Sequence, residues 1–519
     1  MPTMKLKQRV VIFGLLIVGG ILLVTTGVIN SHLVWSNSEK EDARRLISSG
    51  HHIAFPRKNL DESNYTSDTQ NSPEAQKQLN NVDTAYKVDA GVPAQPAAEP
   101  LRVNPIKLRP TKQYERNLYP LPKPVSLNFN LEDMLSERPQ LKPHRKYKRR
   151  KAGHEGDLML YEEKPGIKLT SWELFHNHIN EYGLYRKDDP NVNNLIKDLQ
   201  TKRIIGTEQK SGGTQLKLIM EFSNDGEALF KPMRFQRDVE TDYNHYYFSD
   251  YERHYAEIAA FYLDRVFDFR RIPPTIGRTV NMTYDIKRLA NRKLAKTFFF
   301  SPSNNVCFHG SCSYYCDSNH AVCGYPDLLE GSFAAFLPPD KLADRETWRH
   351  PWRRSYSRRR KAAWETDDTY CEGVRNRTPY VNSRQLLDLM DMAVFDFIQG
   401  NLDRHHYETM DPYGNETFPL HLDNGRGFGK TWKDEIDILA PIYQCCLMRY
   451  STLLKLIDFE KGPPLSQVFR KAMERDLAYP ILPEKHFPAI DRRVTIILNT
   501  VNKCIQQKGF KEVVIDDKL

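Results

Sequence analysis

Lys231, Glu252, Asp403 and Asp423, in that order along the chain, could together carry phosphoryl transfer. That chemistry rests on positioning and charge neutralisation rather than on a covalent catalyst. It calls for a lysine on a strand and a carboxylate on the following helix. It also calls for a loop aspartate beside the acceptor hydroxyl and a metal-binding aspartate after a later strand. Lys231 lies mid-strand in Leu229-Phe230-Lys231-Pro232-Met233, and Lys217 sits roughly opposite it on the preceding strand. Two ammonium groups on one sheet face repel unless an anion lies between them, and a nucleotide polyphosphate would serve. Taken alone, the pair also reads as two unrelated surface lysines.

Glu252 precedes Ala256 by four residues and Ala259 by seven, so it falls on the apolar stripe of a helix expected over about 250–267. There it points toward the lysines, although a first-turn glutamate also suits a helix dipole. Glu257 falls on another face and reads as solvated or structural. Asp403 follows Gly400, the glycine end of a helix expected from Ser383 to Ile398. Ordinary kinases place an asparagine five residues beyond such an aspartate. Here that position is Glu408, which alters metal or nucleotide contact. His405 and His406 lack a third ligand and read as loop-holding residues. Asp423, in His421-Leu422-Asp423-Asn424-Gly425, echoes the metal-binding Asp-Phe-Gly motif with Asn for Phe. The triplet alone is only a turn; the ordered set makes the case. Ser211-Gly212-Gly213-Thr214 could cover phosphates but lacks the kinase glycine spacing. Ala335-Phe336-Leu337-Pro338 is placed to form the hinge that meets adenine.

These residues need two lobes to position them. The strands expected over 215–222 and 228–234 are joined by Asn224-Asp225-Gly226, a hairpin signal. A helix capped by Ser171 starts at Trp172. Residues 407–423 read as a second hairpin, and Ile496, Ile497, Val501 and Ile505 form one stripe of a C-terminal helix. The expected fold is α+β and protein-kinase-like, with a small β-rich N-lobe and a mostly helical C-lobe.

Composition fits that fold. The chain has 519 residues, 40% hydrophobic and 27% charged, which excludes a disordered, collagenous or many-span chain. A net charge of +9 favours acidic partners. Residues 10–29 carry no charge and follow Lys5, Lys7 and Arg9, as in a type II signal anchor; a cleaved signal peptide is the competing reading. The expected order is a cytosolic tail over 1–9, the anchor over 10–29, and a luminal stem or propeptide over 30–155. A kinase domain over 156–511 and a tail over 512–519 follow. Sequons at Asn64, Asn281, Asn376 and Asn415 suit a luminal body. The run 144–151 is a solvated basic linker or a processing site. Eight cysteines in an oxidising lumen favour disulfides over a zinc site at Cys307, Cys312, Cys316 and Cys323, which lack paired Cys-x-x-Cys spacing. The basic stretch Arg349 to Lys361 is a solvated insert or an acceptor-side surface for acidic peptides or sulfated glycans. Nucleic acid is not an expected partner.

Six segments bring a resemblance: FKPMR (230–234), YFSDYERHYAEIAAF (247–261), the block around CSYYC (312–316), HPWRRSY (350–356), FDFIQGNLDRHHYET (395–409) and HLDNGRGFGK (421–430). They closely resemble the secretory-pathway kinases of the family with sequence similarity twenty, above all its Golgi casein kinase branch. The resemblance implies Asp403 as catalytic base, Asp423 as ligand of metal and nucleotide, and Glu252 as a second metal ligand. It implies that Gln215, Lys217, Lys231 and Glu408 contact or organise the nucleotide, with Ala335, Phe336, Leu337 and Pro338 as hinge. It implies Mn²⁺, with Mg²⁺ able to substitute, and ATP as donor. The implied substrates are serines in Ser-x-Glu sequences of secreted acidic proteins. The implied location is the Golgi membrane with the kinase domain in the lumen, and possible cleavage and secretion. The implied disulfides are Cys307–Cys323, Cys312–Cys316, Cys371–Cys445 and Cys446–Cys504. A homodimer, or a heteromer with a pseudokinase paralogue, is a further implied partnership. Other branches phosphorylate xylose in proteoglycan linkers or are silent activators. Asp423-Asn424-Gly425-Arg426-Gly427-Phe428-Gly429 departs from the xylose branch, and Glu252 departs from the silent branch, which has Gln there.

Overall fold

The computed structural model describes residues 122–138, 141 and 156–518, apart from 244, 248, 249, 251, 358 and 382. The expected anchor at 10–29, the basic run at 144–151 and Asn64 lie outside the described residues. Among the described residues, no helix is long and apolar enough to cross a membrane.

Part of the expected stem belongs to the folded body. Helix α1 (Leu131–Ser136) is capped by Asn130, whose side chain accepts from Glu132 N, and it buries Met134. Asn128 N donates to Asn499 Oδ1 at 3.0 Å, and Asn499 returns a bond to the Ser126 carbonyl. Residues 122–138 thus form a docked strap, irregular up to Asn130 and helical over α1.

The next helix, α2 (Ser171–Asn177), starts one residue earlier than expected. Thr170 and Glu173 form a reciprocal capping box, so Thr170 takes the role assigned to Ser171. After α3 (Asn191–Thr201) come β1 (Ile204–Gln209), β2 (Leu218–Phe222) and β3 (Glu227–Pro232). Asp225, with φ 59°, supplies the left-handed turn between β2 and β3. Helix α4 (His254–Phe267) follows, then β4 (Thr275–Asn281) and β5 (Leu328–Ala335). The five strands form one antiparallel sheet in the order β1-β2-β3-β5-β4. Its apolar face, with Phe222, Phe230 and Phe333, is fully buried.

A small three-stranded sheet (Phe299–Phe300, Val306–Phe308, Val322–Cys323) is inserted between β4 and β5. It carries Cys307–Cys323 and Cys312–Cys316. The C-lobe carries Cys371–Cys445 and Cys446–Cys504, so all four implied pairs form and the zinc alternative falls.

The C-lobe is built on β6 (Arg345–Arg349), α5 (Tyr370–Arg375), α6 (Gln385–Gln399), β7 (His406–Met410), β8 (Pro419–Leu420) and the long α7 (His486–Lys508). Every residue of α6 is buried, not only the expected stripe. Its acids are therefore paired: Asp388 with Arg271, Arg384 and Arg449, and Asp396 with Arg404. Gly400 ends α6 with φ 71°, a left-handed cap that glycine adopts without steric cost.

Candidate active site

The β2–β3 register pairs Leu218 with Phe230, which places Lys217 opposite Lys231 just beyond the ladder. The anion between them is Asp423, whose Oδ1 is 3.8 Å from Lys217 Nζ and 3.2 Å from Lys231 Nζ. Two further carboxylates reach Lys231, Glu252 at 2.9 Å and Glu257 at 2.5 Å.

Two sequence expectations change here. Helix α4 starts at His254 with Arg253 as its cap, so Glu252 precedes the helix instead of riding on its stripe. Arg253 is extended (φ −99°, ψ 116°), and its buried side chain bonds Asp250 and Thr241. Glu252 still reaches Lys231, because its backbone N–H donates to Gln215 Oε1 at 3.1 Å and Arg253 N donates to the Gly425 carbonyl. A Cβ on Gly425 would lie 2.8 Å from Glu252 Cβ, so this close approach requires glycine. Glu257, read as solvated or structural, is instead the helix carboxylate bonded to the strand lysine. It lies in the first turn of α4, and that position was its only sequence signal.

The electrostatics keep this cluster charged. Burial works against the Lys231 ammonium, but Glu252, Glu257 and Asp423 outweigh it and hold the lysine well above its ordinary value. Burial would raise Glu252; Lys231 and Lys217 overcome it and leave the carboxyl below its usual range. Lys231, then Lys217, hold Asp423 far below the usual carboxylate range. The Asp423 side chain is 71% exposed, which leaves its oxygens open to a cation. Glu252 and Asp423 are hard oxygen donors suited to Mn²⁺ or Mg²⁺, and they fit the implied metal.

Asp403 lies on the loop after α6. Arg426 binds its carboxylate, and the Tyr356 hydroxyl lies 3.5 Å from Oδ1. Arg404 joins this loop to the Asp423 segment by donating to Asp396, to Asn424 Oδ1 at 2.8 Å and to the Leu422 carbonyl. Asn424 is fully buried and also bonds the His421 carbonyl at 2.7 Å, so it anchors the segment where ordinary kinases have Phe. Arg404 and Arg426 were not singled out from the sequence, since a lone arginine carries no spacing signal. His405 bonds the Asp403 carbonyl at 2.8 Å, a loop-holding contact as expected. Among the described residues no cluster of three or more His, Cys, Asp or Glu is arranged to hold a metal ion.

Glu408 does not join the Lys231 cluster. It lies on β7 and bonds Arg345 at 3.0 Å, and Arg345 donates to the Pro338 carbonyl at 2.9 Å. Glu408 is thereby tied to the hinge. At that hinge Phe336 N donates to Glu227 O, and the Phe336 carbonyl meets His176 Nε2 at 2.9 Å. The Gly212-Gly213 loop is pinned to the disulfide insert by a bond from Ser313 N to the Gly213 carbonyl. The basic stretch is folded: Trp352 bonds Gln444 and Arg354 pairs with Asp437 at 2.9 Å. Asn376 and Asn415 are exposed, whereas Asn281 is half-buried and its side-chain oxygen accepts from Thr283 N and Tyr284 N.

A family model described as Golgi casein kinase, C-terminal, Fam20 matches residues 170–513. The chain belongs to the Fam20 family. An extracellular serine/threonine protein of Drosophila melanogaster is 56% identical over 349 residues, 67% of this chain and 66% of that one. The human extracellular serine/threonine protein kinase FAM20C is 50% identical over 396 residues, 76% of this chain and 67% of the relative. The chain thus spans about two thirds of the length of these relatives. A crystal structure of the Golgi casein kinase with Mn/ADP bound superposes with a TM-score of 0.69 at 40% identity, covering 75% of this chain and 93% of that one. Other Fam20 relatives are the human pseudokinase FAM20A, 42% identical over 77% of this chain and 79% of its own, and a Danio rerio glycosaminoglycan xylosylkinase, 38% identical over 68% and 86%.

Proposed function

We propose that this Fam20 chain is an ATP- and Mn²⁺-dependent serine kinase that phosphorylates secreted acidic proteins in the Golgi lumen at Ser-x-Glu sequences. The observation that carries the reading is the convergence of Glu252, Glu257 and Asp423 on Lys231, with Asp403 on a loop tied to the same segment through Arg404. The relatives of known class and the Mn/ADP-bound neighbour support it.

Glu252 and Asp423 would hold the metal. When bound, Mn²⁺ or Mg²⁺ neutralises charge on the phosphates. Lys217 and Lys231 would take up phosphate oxygens, exchanging part of their contact with Asp423. Gln215 fixes the backbone of Glu252, and Ala335 to Pro338 would meet the base, with Arg345 and Glu408 behind them. Asp403 would receive the proton of the serine hydroxyl once Arg426 yields one carboxylate oxygen to the acceptor. The proposal includes attachment to the Golgi membrane through residues 10–29, and pairing with a second copy or with a pseudokinase relative.

The test offers the chain from residue 122 onward, with Mn²⁺ and ATP, an acidic serine-containing protein and a xylose-bearing linker side by side. Phosphoserine without phosphoxylose is the expected result. Transfer only to the sugar would replace this reading with that of a glycan kinase, and transfer to neither with that of a silent partner.

A further inference from the structure

Beside the catalytic loop lies a cavity of about 820 Å³, in the size range of pockets that enclose ligands. Its lining includes Arg349, Arg353, Arg354, Arg360, Lys361 and Arg377, and no Asp or Glu. Arg354 pairs with Asp437. The other five form no ion pair among the described residues. His350 adds no charge, because burial pushes it down to about 3. Five unpaired cations around one cavity repel each other, and an anion placed among them relieves that repulsion.

The walls are held in place before any ligand arrives. Trp364 Nε1 donates to the Arg353 carbonyl at 2.9 Å, and the Tyr370 hydroxyl donates to the Pro351 carbonyl at 2.9 Å. Gln444 Nε2 donates to the Trp364 carbonyl at 2.8 Å. The disulfide Cys371–Cys445 ties α5, which carries Tyr370, to the chain at Cys445 beside Gln444. A preformed site loses less ordering entropy on binding than a loop that must fold around its ligand. One lining residue reaches the chemistry: Tyr356, whose hydroxyl is 3.5 Å from Asp403 Oδ1. Tyr356 thus joins the cavity lining to the loop that carries Asp403.

We infer that this cavity is an exosite for an acidic segment of the acceptor protein, lying outside the few residues around the transferred serine. The inference rests on the serine-kinase reading above. Guanidinium groups suit it, since each can bind a carboxylate through two parallel hydrogen bonds. Aromatic walls give the peptide stem apolar contact.

The test uses a variant with Arg349→Gln, Arg360→Gln and Lys361→Gln, three exposed residues outside the catalytic cluster. Two acceptors share one Ser-x-Glu core, and one of them is extended on both sides by glutamate runs. For the wild type, the extended acceptor should show the lower KM, and the advantage should fade with added salt. In the variant its KM should rise about tenfold, the sum of several modest surface ion pairs. kcat and the KM of the short acceptor should stay unchanged. A fluorescent glutamate-rich peptide without serine, titrated in the absence of ATP and metal, gives a readout independent of catalysis. Loss of its binding in the variant supports the exosite even if neither acceptor is phosphorylated, which would instead reject the kinase reading. Unchanged KM and unchanged peptide binding in the variant would overturn the inference. So would binding of a sulfated oligosaccharide without binding of the peptide.

Discussion

Glu257 Oε1 lies 2.5 Å from Lys231 Nζ, joining helix α4 to strand β3. Glu252 approaches the same nitrogen from the chain before the helix. We propose different tasks for the two carboxylates: Glu257 would orient the lysine, and Glu252 would share a cation with Asp423. Glu257→Gln should lower kcat/KM for ATP by about 10- to 100-fold, the worth of one charge-assisted bond expressed in the transition state. Melting temperature should change little, because the shape is kept. Steady-state kinetics on the variant check this; near-normal kcat/KM would return Glu257 to a structural role.

Glu252→Gln should leave secreted yield intact and lower transfer by orders of magnitude. An amide oxygen is a poorer ligand than a carboxylate, and the NH₂ group would face the cation or Lys231. Phosphate incorporation at saturating Mn²⁺ and ATP decides it. Turnover close to wild type would mean that Glu252 serves only as a neighbour of Lys231.

Much of this site was legible because its parts sit at element ends. Gly400 marks the end of α6, Asp403 follows it by three residues, and the hairpin from β7 returns the chain to Asp423. Glu252 reaches Lys231, but not from the helix stripe on which periodicity places it. Apolar periodicity carries α4 back to 250, whereas the backbone is extended at Arg253, whose side chain reaches back to Thr241, and the helix starts at His254. The same limit hid Arg404 and Arg426, whose partners are close only after folding. The strap over 122–138 was hidden because the proline-rich run leading into it suits a linker as well as a docked chain, and its short helix α1 buries only Met134.

The strap should contribute to stability. A chain beginning at 142 loses the Met134 burial and the Asn128–Asn499 bonds, whereas one beginning at 122 keeps both. Burial of one methionine is worth about 1.5–3 kcal/mol. The shorter chain should therefore melt several degrees lower, with the two followed by calorimetry. Equal melting temperatures would show that the strap does not stabilise the body.

His176 gives the hinge a pH dependence. Burial, partly offset by its bond to the Phe336 carbonyl, pushes it down from 6.5 to about 4. Between those values the unfolded chain binds a proton that the folded chain does not. Stability is therefore lost as pH falls from 6.5 toward 4, with a slope of up to about 1.4 kcal/mol per pH unit for this proton. His176→Gln keeps a donor for Phe336 and removes the titration. Denaturation at pH 7 and pH 5 should show a smaller loss for the variant; equal losses would contradict this assignment.

The disulfides Cys371–Cys445 and Cys446–Cys504 close loops of 74 and 58 residues. Each should stabilise the C-lobe by roughly 4 kcal/mol through the unfolded state. Cys446→Ser should sharply reduce secretion. Free thiols at Cys371 or Cys504 in secreted wild-type protein, found by mass mapping, would refute the pairing.

The division of labour between Asp403 and Asp423 is tested most directly by ATP affinity measured with Mn²⁺, alongside phosphate transfer, for Asp403→Ala and Asp423→Ala. Asp423 faces Lys217 and Lys231 with its oxygens open to a cation, whereas Asp403 touches Arg426 and Tyr356 on the loop after α6. Asp423→Ala should abolish metal-dependent nucleotide binding. Asp403→Ala should bind nucleotide nearly as the wild type does and transfer none of it. Equal loss of binding in both variants, or transfer by Asp403→Ala, would contradict the assignment.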